Sequence, residues 1–136
     1  MFVPVTSILV DDQDKALAFY TDVLGFVKKT EIPAGDAKWL TVVSPEAPDG
    51  VELLLEPDGN PGIQINGEPA ARVYKKTLYD AGIPFTMLGT RDLAKDYERM
   101  KAHGVRFTQE PTETDFGAQA VFDDTCGNLI VLVQQD

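Results

Sequence analysis

One order of elements occurs twice along the chain, and it constrains the fold more than any other feature. Each copy has the pattern of a strand, a helix ended by a glycine, and three further strands. Gly25 and Gly104, which close the two helices, are 79 positions apart, and Gly50 and Gly127, in the turns before the last strands, are 77 apart. A nearly constant offset indicates an internal repeat. We therefore predict an α+β chain of two tandem βαβββ units.

The clearest part of the first copy is the stretch Val10–Phe26, VDDQDKALAFYTDVLGF. Asp11 and Asp12 have side-chain oxygens that can accept hydrogen bonds from the free N–H groups at a helix start. Apolar side chains then recur at helical spacing and give the helix one face to bury; they are Ala16, Phe19, Tyr20, Val23 and Leu24. Gly25 suits the left-handed conformation that commonly ends a helix, so we expect a helix from about Gln13 to Leu24.

The other elements are predicted from β-rich runs, helical periodicity and turns rich in glycine and proline. In the first unit the predicted segments are strands at 2–10, 26–32, 38–44 and 51–56, with a turn at 33–36. In the second they are strands at 83–89, 105–109, 119–123 and 129–134, a helix between Asp92 and Gly104, and a loop at 110–117. A loop at 57–68 and a helix at 69–81, with Pro69 at its first position, join the units.

These elements predict a single domain, 1–136, rather than two. Within it we expect the first repeat unit at about 1–57, the connecting loop and helix at about 58–82, and the second repeat unit at about 83–136.

Charge and composition restrict the classes of partner. The chain has 22 acidic and 12 basic residues, a formal charge of −10, which argues against nucleic acid and against anionic membranes. No apolar run is long enough to span a bilayer, and the N-terminus lacks the basic region of a signal peptide, so we expect a cytoplasmic protein. Cys126 is the only cysteine and His103 the only histidine, so the chain cannot form an internal disulfide or a site built from several His and Cys ligands.

Two motifs of this repeat resemble those of the vicinal oxygen chelate superfamily, which contains glyoxalase I, bleomycin and fosfomycin resistance proteins and extradiol dioxygenases. The first is D-x-x-x-A-x-x-F-Y-x-x-x-L-G-F, from Asp12 to Phe26, and the second is the closing FDDTCGNLIVLV. The resemblance covers nearly the whole chain. It implies that the two units form a partly closed eight-stranded barrel around a cavity, and that the protein is a homodimer.

The resemblance also implies a divalent metal held by the first and last strands of each unit. Counting from the helix-ending glycines places the four ligand positions at Val5, Glu52, Phe85 and Val131, or at Thr86 instead of Phe85 if the register shifts by one. Only Glu52 has a side chain that binds such an ion well, and one carboxylate does not hold a divalent cation tightly. We therefore expect no metal and no other cofactor.

Strand alternation predicts which side chains share the cavity with these positions. Ser7 and Leu9 accompany Val5, Leu54 and Glu56 accompany Glu52, Met87 accompanies Phe85, and Leu129 and Val133 accompany Val131; Trp39 and Phe116 are further candidates. The predicted ligand pocket is Val5, Ser7, Trp39, Glu52, Leu54, Glu56, Phe85, Met87, Phe116 and Val131. Such a mostly apolar cup suits a small organic ligand, although an apolar cup without a ligand is simply a second core.

Three functions remain open at this point. The first is a metal-free protein that binds a small molecule, similar to the bleomycin resistance branch. The second is a metal-independent isomerase or lyase with Glu52 as its catalytic general base. The third is a glyoxalase-type metalloenzyme whose ligand register differs from the one assigned above.

Overall fold

The predicted βαβββ order occurs twice in a computed structural model that describes all residues, 1–136. The chain divides into two compact units, Met1–Lys75 and Lys76–Asp136. The strands are β1 Val5–Val10, β2 Val27–Ala34, β3 Ala37–Val43, β4 Glu52–Pro57, β5 Gln64–Ile65, β6 Glu68–Pro69, β7 Thr86–Thr90, β8 Phe107–Thr114, β9 Gly117–Asp123 and β10 Leu129–Gln134. The helices are α1 Gln13–Ala18, which continues as a π-helical turn Phe19–Val23, α2 Ala70–Asp80 and α3 Leu93–Ala102.

Each unit contains one four-stranded sheet with the same topology. The strand order is β1-β4-β3-β2 in the first sheet and β7-β10-β9-β8 in the second. In each, the first and last strands of the unit are parallel neighbours, and the remaining pairs are antiparallel. The α+β class and the tandem βαβββ architecture are thus confirmed.

The two helices that follow the first strands begin in the same way. The Asp12 side chain accepts a hydrogen bond from the Lys15 N–H, and the Asp92 side chain accepts one from the Lys95 N–H, each at 3.0 Å. The first helix ends in a wider turn, because the Leu24 N–H donates to the Phe19 carbonyl, five residues back. Its extent agrees with the prediction, but the π-helical turn was not predicted.

Two predicted breaks, the turn at 33–36 and the loop at 110–117, are present but shorter than predicted, at 35–36 and 115–116. β2 continues to Ala34 and β8 to Thr114, each through a proline, Pro33 or Pro111. Both strands lie at the edge of their sheet, where a proline need not supply an N–H to a second neighbour. The turns are therefore shorter than predicted, and Phe116 lies in the tight turn between β8 and β9 rather than in a long loop.

The segment 57–68 is also more ordered than predicted, because it contains the small β5–β6 hairpin. Its two turn residues, Asn66 and Gly67, both have positive φ, 51° and 82°. Asn-Gly is the sequence preferred in such turns because both residues tolerate that conformation.

The core of the first unit lies between α1 and one face of the first sheet. The Lys38 ammonium contacts Asp14 of α1 at 2.7 Å, which identifies that face. The fully buried side chains on this face of β1, β3 and β4 are Ile8, Val10, Leu40, Val42 and Leu55. The other face of this sheet is therefore turned away from α1.

In the second unit, α3 covers the corresponding face of its sheet. The rings of Tyr97 and Phe107 meet edge to face with centroids 4.7 Å apart, and Phe107 lies beside the fully buried Phe122. None of the helices combines the length and apolar character that crossing a lipid bilayer requires.

Candidate functional site

The face of the first sheet opposite α1 carries all six of the site residues predicted in that unit. Strand register places Val5 beside Glu52, Ser7 beside Leu54, and Leu9 beside Glu56. Thr41 lies opposite Leu54 and Thr30 opposite Thr41, while Trp39 lies opposite Ile32. We call this surface the Trp39 face; its residues are Val5, Ser7, Leu9, Thr30, Ile32, Trp39, Thr41, Val43, Glu52, Leu54 and Glu56.

Exposure varies systematically across the Trp39 face. The side chains at its centre, Thr41 and Leu54, are buried, whereas Ile32 and Trp39 remain 55% and 44% exposed and Ser7 is also exposed. An exposed indole beside an exposed branched aliphatic residue offers apolar contact area to a small molecule.

Glu52 is held on this face by two hydroxyl groups. Its Oε1 accepts a hydrogen bond from Thr41 Oγ1 at 2.6 Å and one from Thr30 Oγ1 at 3.3 Å. The carboxylate is only partly buried, and its Oε2 makes no hydrogen bond within the chain. Glu52 is therefore oriented by neutral donors and has one oxygen available to accept a bond from a ligand or to take a proton.

Beside Trp39 the ladder between β3 and β4 is interrupted by a side chain. Gln13 Nε2 donates to the carbonyls of Lys38 and Leu55, each at 2.8 Å, and the Lys38 N–H donates to Gln13 Oε1 at 3.0 Å. Direct pairing of the two strands is restricted to Thr41 with Leu54 and Val42 with Leu53. The amide of Gln13 therefore replaces the missing backbone partners next to the position of Trp39.

The site residues predicted in the second unit are brought together only in part. Met87 and Val131 are cross-strand neighbours, and Met87 is 59% exposed. Phe85 precedes β7, and its N–H donates to the Leu129 carbonyl at 2.8 Å. Phe116, at the tip of the β8–β9 hairpin, is 90% exposed and lies beyond the strand segment that pairs with Val131.

The donor set does not fit a divalent metal. Val5, Phe85 and Val131 have no lone pair to offer in their side chains, Thr86 has a hydroxyl only, and Glu52 is the single strong ligand. No three His, Cys, Asp or Glu side chains of the chain are gathered so that they could hold a metal ion.

His103 and Cys126 both have local structural roles. His103 is the C-cap of α3, where its backbone N–H donates to the carbonyls of Arg99 and Met100. Cys126 is buried in the turn before β10, and its backbone N–H donates to Asp124 Oδ1 at 2.8 Å. Neither residue belongs to the Trp39 face.

An open cavity of about 340 Å³ lies within the second unit. None of its lining residues was predicted as a site residue; they are Tyr79, Gly104, Arg106, Asp123, Thr125 and Gly127. Arg106 donates to Asp123 Oδ2 at 2.8 Å and to Tyr79 Oη at 3.0 Å, and Tyr79 Oη donates to Asp123. These groups satisfy one another and join the end of α2 to β9.

Hydrogen bonds and burial in this cavity shift the pKa values of three groups; the pKa of Arg106 is raised, chiefly by its hydrogen bond to Asp123. The hydrogen bond to Asp123 raises the pKa of Tyr79, and burial adds to that shift. Burial raises the pKa of Asp123, but hydrogen bonds from Tyr79, the Thr125 N–H and Arg106 outweigh it, so the pKa lies below the ordinary value of 3.8. Asp123 is therefore held as a carboxylate by its neighbours, which suits a structural role.

Sequence reasoning missed the residues that support Glu52 and Trp39. Thr30 and Thr41 are ordinary strand residues in the sequence, and only the register of β2, β3 and β4 brings both hydroxyls to one carboxylate. Gln13 follows the N-cap of α1, and its reach to Lys38 and Leu55 depends on how the helix packs on the sheet. The only available signal was a glutamine directly after the N-cap, whose single amide can both donate and accept hydrogen bonds.

Comparison with known proteins identifies the family to which this chain belongs. A family model described as "Glyoxalase/Bleomycin resistance protein/Dioxygenase superfamily" matches residues 3–132. The chain is 52% identical over 135 residues to the protein YurT of Bacillus subtilis (strain 168), with 99% of this chain and 100% of YurT covered.

Two solved structures share the whole fold with this chain. The crystal structure of UcmS2 is 34% identical, with a TM-score of 0.82 and coverage of 98% of this chain and 97% of UcmS2. TnmS3, an antibiotic binding protein from Streptomyces sp. CB03234, is 28% identical, with a TM-score of 0.74 and coverage of 100% and 97%. By its repeated βαβββ units and its match over residues 3–132, the chain belongs to the glyoxalase/bleomycin resistance protein/dioxygenase superfamily.

Proposed function

We propose that this protein binds a small, largely apolar organic molecule on the Trp39 face, without a metal. The observation that carries the proposal is the exposed Trp39 and Ile32 on the same face as Glu52, whose Oε2 has no hydrogen-bond partner in the chain. Apolar contact supplies affinity in such sites, and a few polar groups supply orientation.

Two further observations support binding without a metal. Of the four side chains at the positions that hold a metal in the family, only Glu52 is a strong ligand. TnmS3, which shares this fold, is an antibiotic binding protein; that activity belongs to TnmS3, and it favours a binding role here.

The single tryptophan of the chain allows a direct test. Because Trp39 is the only tryptophan, its fluorescence reports occupancy of this face alone. We expect some members of a panel of aromatic and polycyclic compounds to change its emission saturably and to raise the melting temperature. Trp39→Leu should weaken binding measured by calorimetry, whereas Ile63→Ala, at an exposed position outside the face, should not. No change of emission with any compound would contradict the proposal.

A second candidate function uses the same carboxylate as a general base on a carbonyl compound. The two threonine hydroxyls that orient Glu52, with one oxygen left open, favour it. Glu52→Gln should then abolish turnover while the melting temperature and ligand binding are retained. Unchanged turnover would exclude Glu52 as the base.

Metal content and assembly are tested on the purified protein. Elemental analysis should find no stoichiometric divalent metal; a stoichiometric ion retained by side chains would instead support the metalloenzyme alternative. We also propose a homodimer, in keeping with exposed apolar side chains such as Phe2 and Val3. Light scattering after size exclusion should give twice the chain mass, and a monomer would contradict it.

A further inference from the structure

Resting on the proposed binding function, we propose that the Trp39 face selects ligands in which an aromatic ring carries a protonated amine. The ring lies against Trp39 and the ammonium group binds Glu52. Glu52, the one strong metal ligand among the four predicted positions, is thus the anchor for an organic cation.

The spacing of the two side chains fits such a ligand. Trp39 is two residues before Thr41 on the same face of β3, and the Thr41 hydroxyl contacts the Glu52 carboxylate at 2.6 Å. Two residues of strand correspond to about 7 Å. An aromatic ring with a short carbon linker to an amine spans that distance.

The charge of the face points to a cation. It contains two carboxylates, Glu52 and Glu56, and no lysine or arginine. Lys28 and Lys38 lie on the opposite face, where Lys28 pairs with Glu31. Lys29, in the β2 bulge, binds the Pro48 carbonyl at 2.7 Å.

The hydrogen-bond partners of Glu52 within the chain do not neutralise its negative charge. Both are neutral hydroxyls, from Thr30 and Thr41, so no side chain compensates the carboxylate. An ammonium donor would form a charge-assisted hydrogen bond with Oε2, and the indole of Trp39 also attracts cations over its face. An anionic ligand would be repelled by Glu52, by Glu56 and by the net charge of −10.

The test compares three probes with the same biphenyl body: para-phenylbenzylamine, para-phenylbenzyl alcohol and para-phenylbenzoate. Calorimetry with the unaltered protein should give an affinity for the amine about tenfold above that for the alcohol, because charged hydrogen bonds contribute more than neutral ones. The benzoate should bind most weakly. Added salt should reduce the advantage of the amine and leave the affinity for the alcohol nearly unchanged.

Two variants assign the preference to one carboxylate. Glu52→Gln should bind the alcohol as the unaltered protein does and lose the preference for the amine. Glu98→Gln, on an exposed position of α3, removes the same formal charge elsewhere and should retain the preference. If Glu52→Gln does not fold, the order of the three probes and its salt dependence in the unaltered protein still decide the question.

The outcomes separate this inference from the proposed function. Equal affinity for amine and alcohol, or a preference that survives in Glu52→Gln, would overturn the selection for amines while binding of apolar molecules still stood. If none of the three probes bound, the selection would also be overturned. The fluorescence panel, which does not depend on an amine, would then decide the proposed function by itself.

Discussion

At the scale of single residues, the surroundings of Glu52 determine what the Trp39 face can do. A carboxylate paired with lysine or arginine would have little attraction left for a ligand. Here the donors are two hydroxyls, and the closer one belongs to the fully buried Thr41. The sequence identifies Glu52 by its place in the last strand of the unit, but it does not identify these donors, because they depend on cross-strand register.

Replacing Thr41 with valine tests this support. Thr41→Val keeps the shape of the side chain but removes the 2.6 Å hydrogen bond, leaving Glu52 with the longer bond from Thr30. We expect the free energy of unfolding to fall by about 1.5 kcal/mol, since the lost bond is made to a charged group. Urea denaturation measures the change. Thr6→Val, at an exposed strand position whose hydroxyl makes no hydrogen bond, is the matched control; equal effects would show that the bond to Glu52 contributes nothing.

Asp123 provides a prediction of pH dependence. Its pKa is below 3.8 in the folded protein because Tyr79, the Thr125 N–H and Arg106 stabilise the carboxylate against the effect of burial. The unfolded chain binds the proton more readily, so this group contributes stability above pH 3.8, and the contribution is lost as the pH falls through the folded pKa. In Tyr79→Phe one of these hydrogen bonds is absent, so the loss of stability on acidification should be smaller. Urea denaturation from neutral pH down to about pH 3 measures it, and an identical pH profile would contradict the assignment.

At the scale of elements, a buried ion pair holds the middle of α2 against the residue that follows β4. Asp58, directly after β4, is 2% exposed and contacts the Lys75 ammonium at 2.9 Å, while Arg72 reaches its other oxygen at 3.2 Å. Lys75 is itself buried. Such a pair is costly to break from one side, because the remaining charge stays out of water.

Asp58→Asn should therefore be strongly destabilising. We expect a loss of about 3 kcal/mol in the free energy of unfolding, because the variant removes the buried carboxylate that contacts the Lys75 ammonium at 2.9 Å. Asp80→Asn, which breaks the exposed pair with Lys76 on the same helix, should change it by less than about 0.5 kcal/mol. Denaturation of the two variants side by side is the measurement. Similar small losses in both would mean that Lys75 finds another partner or reaches water.

Gln13 links α1 to the sheet beyond the short segment where β3 and β4 pair directly. Gln13→Ala removes three hydrogen bonds to the backbone of Lys38 and Leu55, and we expect the free energy of unfolding to fall by about 2 kcal/mol. Because Trp39 follows Lys38, its emission should also move to longer wavelength as the strand loosens. Unchanged emission together with unchanged stability would show that water replaces the amide without loss.

The observed helices and strands also show which sequence signals were sufficient to predict an element and its ends. Helix starts at Asp12 and Asp92 and the final strand at 129–134 were predictable, since a cap or an unbroken apolar run defines each of them locally. The ends of β2 and β8 were not, because Pro33 and Pro111 are breakers in the sequence and become tolerable only at a sheet edge. The β5–β6 hairpin was predictable from Asn66-Gly67, a turn signal that the surrounding glycines and prolines obscured.

At the scale of the whole molecule, the repeat determines the fold but not the site. Both units repeat the capped helix, the closing glycine and the parallel pairing of first and last strands. The predicted positions differ chemically, however: Glu52 lies beside Val5 in the first unit, whereas Val131 lies beside Met87 and not beside Phe85 in the second. Signals for the fold occur in both repeat units, whereas the site depends on single side chains. The sequence therefore predicts the fold far better than it predicts the site.

The net charge of −10 leads to a prediction for the stability of the whole chain. Repulsion among the excess carboxylates destabilises the compact state, and the exposed ion pairs, such as Lys15 with Asp11 and Lys76 with Asp80, contribute little against it. Screening by salt should weaken the repulsion more than it weakens these pairs. Raising the ionic strength from about 0.01 M to 0.15 M should therefore increase the melting temperature by about 3 °C. Sodium and potassium chloride should act equally, because screening does not depend on the cation's identity; a decrease, or an effect of one salt only, would show that specific ion pairs or ion binding outweigh the net charge.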